Sequence, residues 1–289
     1  MDKKPLMSKE MPLWRKQIPE ARDRRQSSAL AWTIGILLLL AALAPPLAAL
    51  RLSLPLWPLA RPLLLSAVFA VLVYALRAAT LQASALGFLI CFILAQSPAI
   101  WSRYTSDLTP HPLLPALLAL FLLTFAATKF GRTRKESRGI SESRRGRRAS
   151  QIVANLGVAG IFAAAGRYDG CIAALAEAAA DTVSSEIGQA TGHPARLITT
   201  GRSVPPGTDG GITLLGTAAG LAAAAVVTAV GTLHHPVWPH QGGIWLAASA
   251  GLLFDSLLGA TVERKSWLGN DLVNFTSTLF SALLATALL

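Results

Sequence analysis

Charged residues are scarce in this chain of 289 residues, because Asp, Glu, Lys and Arg make up 14% of it, against roughly a quarter in soluble globular proteins. Aromatic residues are also few, at 7%, whereas 53% of the residues are hydrophobic. A soluble globular fold does not have this balance. The composition is that of a membrane protein.

Cysteine is nearly absent as well. Cys91 and Cys171 both lie inside apolar stretches, so they supply neither a disulfide framework nor the spacing of a metal site. A G-x-x-x-x-G-K-[S/T] phosphate loop is also missing from the sequence. The first apolar run begins at Ser28, is too long for the core of a signal peptide and has no obvious cleavage site. We therefore expect it to be retained as a membrane span.

Nine apolar stretches approach the length of about 20 residues that a helix needs to cross a bilayer. We predict an all-α fold, a polytopic transmembrane helix bundle of about nine spans with a cytoplasmic N-terminus. The fifth stretch is short and the sixth is rich in alanine and acidic residues, so these two fit least well. The predicted spans are Ser28–Leu50, Pro62–Ala79, Ala83–Trp101, Pro112–Phe130, Gln151–Gly166, Tyr168–Gln189, Gly210–Leu233, Gly242–Ala260 and Asp271–Leu289.

Most basic residues fall in two blocks, within residues 1–27 and 129–148. With a cytoplasmic N-terminus, all but four of the 26 Lys and Arg residues face the cytoplasm, as the positive-inside rule requires. The net charge of +11 therefore reflects membrane topology, and we expect no nucleic-acid partner. The four basic residues on the outer side are Arg51, Arg61, Arg103 and Arg167.

The chain divides into a basic cytoplasmic segment (1–27), a four-span scaffold (28–130), a basic cytoplasmic loop (131–150) and a five-span core (151–289). The scaffold is rich in Leu and Phe and has one acidic residue, Asp107, in an outer loop. The core is rich in small residues and contains every carboxylate predicted to lie within the membrane. Because small residues allow close helix packing and polar ones seek partners across it, residues 151–289 form the predicted catalytic core.

The stretch CIAALAEAAADTVSSEIGQATG, most of which lies in the predicted sixth span, places Glu177, Asp181, Ser184 and Gly188 on one helical stripe. Carboxylates one turn apart repel each other, so a cation or a basic side chain must offset their charge. Carboxylate oxygens are ligands that Mg²⁺ prefers, and ionisable residues within a membrane are commonly functional. A structural role, in which a carboxylate is protonated or paired with an arginine, is the alternative.

A polar stretch, TTGRSVPPGTDGGIT at residues 199–213, interrupts the apolar runs, and its prolines and glycines predict a turn-rich loop. We predict that Thr208 or Asp209 caps the helix that follows, which would leave backbone N–H groups for an anion. Arg202 is then placed to clamp a phosphate. A plain turn between two helices is the alternative.

A third polar cluster, FDSLLGATVERKSWLGNDLVNF, begins with Asp255 and its neighbours near a predicted span end. A girdle of snorkelling side chains at the membrane surface would account for its charges. However, the predicted topology opens this cluster, the Gly-rich loop and the acidic helix on the same side. Carboxylates for metal, amides for phosphate and basic groups for charge neutralisation are what a phosphoryl-transfer site needs.

Five blocks of the sequence together resemble the membrane family that contains plant phytyl-phosphate kinase and animal transmembrane protein 19. More distantly, the chain is similar to dolichol kinase, phytol kinase and the CTP-dependent phosphatidate cytidylyltransferases. The resemblance implies a kinase that uses CTP to convert an isoprenyl monophosphate, such as phytyl phosphate, to its diphosphate. The blocks, within residues 78–289, are GRRASQIVANLGVAG, AEAAADTVSSEIGQ, RLITTGRSVPPGTDGGITLLGT, FDSLLGATVERK and NDLVNF.

The resemblance carries over, residue by residue, to the positions that match its motifs. One block departs, because the family commonly reads N-A-D-T-W-A-S-E-I-G where Ala179, Val183 and Ser184 stand for Asn, Trp and Ala here. The departure bears on an aromatic contact with lipid or base and leaves the acidic residues in place. The matching residues are Asp181, Ser185, Glu186, Arg202, Pro206, Gly207, Asp209, Gly210, Gly211, Asp255, Ser256, Gly259, Asn270 and Asn274.

The site expected from these residues holds Mg²⁺ on carboxylates, with CTP or another nucleoside triphosphate on the amides of residues 207–211 and on Arg202. Lys265 or Arg264 is expected to hold the phosphate of the isoprenyl lipid, whose tail lies between small-residue helices. The expected metal ligands are Asp181, Glu186, Glu177 and Asp255. The further nucleotide-binding residues are Ser185, Thr208, Asp209, Asn270 and Asn274.

Two other functions are compatible with the same residues. A transporter or flippase would use Glu177 and Asp181 as ion sites, and a cytidylyltransferase would use the same site to attack the α-phosphate. We expect the protein in a bacterial cytoplasmic membrane, with its site facing the cytoplasm. The chain length of the isoprenoid, the nucleobase, the number of metal ions and the oligomeric state are left open by the sequence.

Overall fold

The computed structural model describes residues 18–96, 113–138, 146–233 and 238–289. The predicted features Asp107, Arg103, Trp101 and most of the basic segment 1–27 lie outside these ranges, as does the middle of the basic loop 131–150. The described helices are α1 (Glu20–Arg51), α2 (Ala60–Ala75), α3 (Leu81–Ala95), α4 (Leu113–Lys129), α5 (Arg132–Ser137), α6 (Ala149–Ala164), α7 (Tyr168–Thr191), α8 (Leu214–Gly231), α9 (Trp238–Leu258) and α10 (Asn270–Leu288).

Five helical segments are long and apolar enough to cross a membrane, by length and composition. Helices α3, α4 and α6 are apolar but shorter, and α7 has 24 residues that include four carboxylates. The predicted all-helical membrane fold is confirmed at this level, while the count of about nine spans stays a prediction. The five segments are Glu20–Arg51, Trp57–Ala75, Leu214–Gly231, Pro239–Glu263 and Asn270–Leu288.

Helix α7 occupies the centre of the bundle and is surrounded by α4, α6, α8, α9 and α10. Because its alanines and glycines have small side chains or none, the backbones of neighbouring helices can come close to it. A Cβ added at Gly216 of α8 would lie 2.5 Å from the Ser184 carbonyl oxygen, and one at Gly220 would lie 2.7 Å from that of Ala180. The α7–α8 contact is therefore made between backbones and leaves no room for larger side chains.

Segments that the charge pattern assigns to the cytoplasm meet at one end of the bundle. The Gln26 side chain of α1 donates to the Trp267 carbonyl at 2.9 Å and accepts from the Gly269 N–H at 2.8 Å. The Arg134 guanidinium donates to the Ala190 carbonyl at 2.9 Å, at the end of α7. The start of α1, the basic α5, the end of α7 and the α9–α10 connection therefore share this end.

The polar stretch 199–213 belongs to a small antiparallel sheet, in which β1 (Ala195–Leu197) lies between β2 (Ser203–Val204) and β3 (Gly211–Ile212). The prediction that Thr208 or Asp209 caps the next helix is wrong. Because β3 keeps the backbone extended to Ile212, α8 begins only at Leu214, and the Thr213 hydroxyl accepts from the Gly216 N–H at 3.0 Å. The Thr208 hydroxyl instead donates to the Pro205 carbonyl at 2.7 Å.

Candidate active site

A polar cavity of about 270 Å³ opens at this end of the bundle. Its walls come from the start of α6, the second half of α7, the 206–213 segment, the end of α9 and the start of α10. The structure thus brings together three clusters that lie far apart in the sequence. The predicted site residues that line the cavity are Asp181, Ser185, Glu186, Gly207, Thr208, Asp209, Gly210, Gly211, Asp255, Asn270 and Asn274.

Acidic side chains dominate the charge of the polar cavity. Asp181 of α7 and Asp255 of α9 repel each other, and both act on Glu263 together with Asp209. Like charges that are close together and partly shielded from water repel each other more strongly than they do in bulk water. Among the described residues, Arg147 is the one basic side chain that lines the cavity. The arrangement therefore favours a cationic ligand.

Polar side chains connect the helices around these carboxylates. The Ser277 hydroxyl of α10 donates to Asp255 Oδ2 at 3.1 Å, which orients this carboxylate. The Asn274 amide of the same helix donates to Asn155 Oδ1 of α6 at 3.3 Å. On the α7 side, the Arg147 guanidinium lies 3.4 Å from the Thr182 hydroxyl. Helices α6, α7, α9 and α10 are thus held together at the level of the carboxylates.

The Gly-rich segment, residues 207–211, packs directly against the end of α9. There the helix widens into a π-helical turn at Gly259–Glu263. Gly210 has a φ of +71°, and a Cβ added to it would lie 2.3 Å from the Ala260 nitrogen. Conversely, a Cβ added at Gly259 would lie 2.8 Å from the Gly210 nitrogen. Only glycine allows this approach, which brings the 207–211 backbone beside the carboxylates.

Glu186 lines the cavity and is already paired. It forms an ion pair with Lys135 of α5, and both side chains are almost fully buried. Lys135 also donates to the Ala127 and Thr128 carbonyls, at 3.3 Å and 3.1 Å. The ion pair anchors α5 to α7 beside the cavity. The positive charge of Lys135 also offsets part of the negative charge of Glu186.

Four predicted site residues do not line the polar cavity. Arg202 is exposed on the turn between β1 and β2, and Lys265 is exposed with its Nζ 5.2 Å from the Trp267 ring centroid. Arg264 is partly buried, and its Nη1 has no hydrogen-bond partner within the described ranges. Glu177 is fully buried one turn deeper on α7, and within the same ranges neither of its oxygens is hydrogen-bonded.

The carboxylates on the facing helices α7 and α9 are the groups that would hold a divalent cation in the polar cavity. Within the described part of the chain, no three His, Cys, Asp or Glu side chains are grouped as a metal site. Mg²⁺ is usually held by one or two carboxylates together with substrate phosphates. Asp181 and Asp255, on facing helices, supply such a pair. Magnesium binding by these residues stays a prediction.

Three charged residues at the site were not singled out from the sequence. Arg147 was counted only as a topology charge, although it belongs to the GRRASQ block. Glu263 belongs to the third polar cluster of the sequence, is not among the predicted ligands, and lines the cavity. Lys135 offers no signal of its own, because its partner Glu186 lies 51 residues away in the sequence. Arg147 and Glu263 both lie within the motif blocks, in GRRASQIVANLGVAG and FDSLLGATVERK, whereas Lys135 lies outside them.

Comparison with known proteins identifies relatives that match 58% of the chain. It is 34% identical over 184 residues to protein VTE6, chloroplastic, of Arabidopsis thaliana, covering 58% of this chain and 55% of the relative. It is 35% identical over 188 residues to an uncharacterized membrane protein of Synechocystis sp., covering 70% of that protein. An uncharacterized membrane protein of Methanocaldococcus jannaschii is 34% identical over 179 residues, with 72% of its length covered.

The chain spans about half the length of the VTE6 protein that it matches, at 55%. No solved structure matches it. The family described as integral membrane protein DUF92 matches residues 64–282, which include most of α2, all of α3 to α9 and most of α10. The family membership predicted from the five sequence blocks is confirmed, and the chain belongs to the DUF92 family of integral membrane proteins.

Proposed function

We propose that the protein is a membrane-embedded kinase that transfers the γ-phosphate of a nucleoside triphosphate to an isoprenyl monophosphate. One observation carries this proposal: the polar cavity gathers the α7 and α9 carboxylates and the Gly-rich segment in a single space. The family resemblance of the five blocks supports phytyl phosphate or a similar lipid as the acceptor and CTP as the donor.

The donor phosphates are proposed to lie against the Gly-rich segment. Thr208 and Gly211 already use their N–H groups inside it, since they donate to the Pro205 and Thr208 carbonyls. The N–H groups of Gly207 and Gly210 make no backbone hydrogen bond among the described residues, so these two are the amides that phosphate oxygens would use. Within residues 207–211, the proposal therefore assigns the N–H groups of Gly207 and Gly210 to the phosphates.

The carboxylates and Arg147 would control charge during transfer. Asp181 and Asp255 would hold Mg²⁺, which when bound screens the phosphates and polarises the γ-phosphorus. An oxygen of the lipid phosphate attacks this phosphorus, forming a P–O bond, while the bond to the β,γ-bridging oxygen breaks and the nucleoside diphosphate leaves with the electron pair. Arg147 offsets the charge that accumulates where the two phosphates meet.

Product analysis tests this proposal directly. Protein purified in lipid nanodiscs is incubated with Mg²⁺, phytyl or geranylgeranyl phosphate, and CTP, ATP, GTP or UTP radiolabelled at the γ-phosphate. We expect a labelled lipid diphosphate. A CDP-lipid with pyrophosphate would instead indicate cytidylyl transfer. If no nucleotide is consumed, whichever lipid phosphate is supplied, the kinase proposal is wrong and the transporter becomes the better hypothesis.

Asp181→Asn provides the site-specific arm of this experiment. It removes one charge from the polar cavity and keeps the side-chain shape, so we expect turnover to fall by about 100-fold or more. Asp169→Asn is the matched control, because Asp169 lies on the same helix but at the far end of the bundle, 3.0 Å from His240 Nε2. Equal losses in the two variants would show that the cavity is not the site of the reaction.

A further inference from the structure

A second and larger cavity, of about 450 Å³, lies between α2, α3, α4 and α6. Its volume falls in the range of roughly 300–1,000 Å³ that is usual for ligand pockets. We call it the apolar groove, and its walls include Phe69, Val73, Gly87, Leu117, Phe121 and Leu156. The region predicted to be a scaffold therefore contains a ligand-sized space of its own.

The space beside α3 is open at Gly87. This glycine is buried, yet a Cβ added to it would meet no atom within 4 Å. On the opposite side, α2 packs against α4 through Phe69 and Phe121, whose rings are in an edge-to-face arrangement with centroids 5.6 Å apart. The walls at this depth are apolar, as the surroundings of a hydrocarbon chain should be.

One end of the apolar groove is basic. Arg77, Lys129, Arg132 and Arg147 line it there, together with the single carboxylate Glu136. Arg132 forms an ion pair with Glu136 at 3.0 Å, and the basic side chains at this end outnumber the carboxylate by three. An apolar space with a basic mouth is complementary to a hydrocarbon chain that ends in a phosphate.

Arg147 lines both the apolar groove and the polar cavity. Its backbone is fixed, because its N–H donates to the Ala78 carbonyl at 2.9 Å and its carbonyl accepts from the Thr80 N–H at 3.0 Å. The preceding Gly146 has a φ of +80°, and a Cβ there would lie 2.7 Å from the Ala78 carbonyl carbon. The α2–α3 connection thus positions Arg147 at the boundary between the two spaces.

We propose that the apolar groove binds the acceptor lipid, a single-chain isoprenyl monophosphate, with its phosphate at the basic end beside Arg147. This assignment rests on the proposed kinase function and names the binding place of its second substrate. The apolar groove has one basic end, so it can accommodate one hydrocarbon chain with one phosphate at its terminus. Lys265 and Arg264, the sequence-based choice for this phosphate, line neither of the two cavities.

Gly87→Leu tests the groove by filling it. Gly87 lies about 9 Å along α3 from Leu81, so a long isoprenyl chain must pass it whereas a five-carbon chain ends before that depth. We expect the KM for geranylgeranyl phosphate to rise about tenfold or more, with the KM for dimethylallyl phosphate unchanged. Gly242→Leu is the matched control, since Gly242 is a helical glycine with open space that lines neither cavity. Equal changes for the two substrates, or for the two variants, would overturn the proposal.

Photolabelling separates this inference from the kinase activity. An isoprenyl monophosphate with a diazirine in its tail is crosslinked to the wild-type protein without nucleotide, and the labelled peptides are identified by mass spectrometry. We expect label on α2, α3 and α4, displaced by geranylgeranyl phosphate. Label confined to α8–α10, or equal displacement by dioleoyl phosphatidic acid, would contradict the assignment. Label in the groove without turnover would support the groove and count against the kinase.

Discussion

Replacing Gly210 with alanine tests whether the Gly-rich segment must lie directly on the end of α9. The φ of +71° costs a non-glycine residue about 1–2 kcal/mol. The added Cβ would also lie 2.3 Å from the nitrogen and 2.5 Å from the Cα of Ala260, and such overpacking typically costs about 1–3 kcal/mol more. Together these terms come to about 2–5 kcal/mol, which the segment can relieve only by moving off the π-helical turn.

That movement would carry the Gly207 and Gly210 amides away from Asp181 and Asp255. Because a misplacement of about 1 Å costs about 100-fold in rate, we expect turnover to fall by about that factor. The assay measures turnover with geranylgeranyl phosphate, together with thermal unfolding followed by tryptophan fluorescence in detergent.

Gly201→Ala separates backbone strain from the contact with α9. Gly201 has a φ of +67°, but a Cβ added there meets no atom within 4 Å. This variant should therefore show only the cost of the left-handed backbone, about 1–2 kcal/mol, with turnover near that of the wild type. If Gly201→Ala and Gly210→Ala lose the same activity and the same stability, the contact between the Gly-rich segment and α9 plays no part in the site.

Two further predictions concern charged residues whose surroundings differ. Lys135→Met leaves the buried Glu186 unpaired and should lower the free energy of unfolding by about 3–5 kcal/mol, measured by chemical unfolding in detergent. The double variant with Glu186→Gln should recover most of that loss, and a failure to recover would show that the charge pair is not the cause. Arg147→Gln should reduce turnover far more than Arg202→Gln, which changes an exposed turn and should stay within about twofold of the wild type. If Arg202→Gln lowers turnover more than Arg147→Gln does, Arg202 is the better candidate for binding phosphate.

The helices that carry the carboxylates were accessible to sequence reasoning because their signals are local or regular. Apolar runs and basic flanks predicted where the helices lie and which ends share a side. From that grouping, Asp181, Asp255 and Gly210 were predicted to lie together, and all three line one cavity. The motif blocks added residues such as Asn274 that no periodicity would single out.

The arginine proposed to bind phosphate, Arg147, could not be selected from the sequence in the same way. Arg202 follows a glycine in the polar stretch and resembles a ligand in sequence, but the pairing of β1 with β2 places it on an exposed turn. Arg147 is placed by hydrogen bonds to the α2–α3 connection, about 70 residues earlier in the chain. Such long-range pairings depend on the packed fold, so composition and spacing do not reveal them.

The glycine contacts between α7 and α8 also have a mechanical consequence. Because the backbones are in close contact at Gly216 and Gly220, we expect these two helices to move together. Helix α2 is less constrained, because among the described residues its extensive helix contacts are with α3. If the protein opens sideways to admit a lipid from the bilayer, α2 is expected to be the moving part, while the half of the molecule that is proposed to hold the nucleotide stays still.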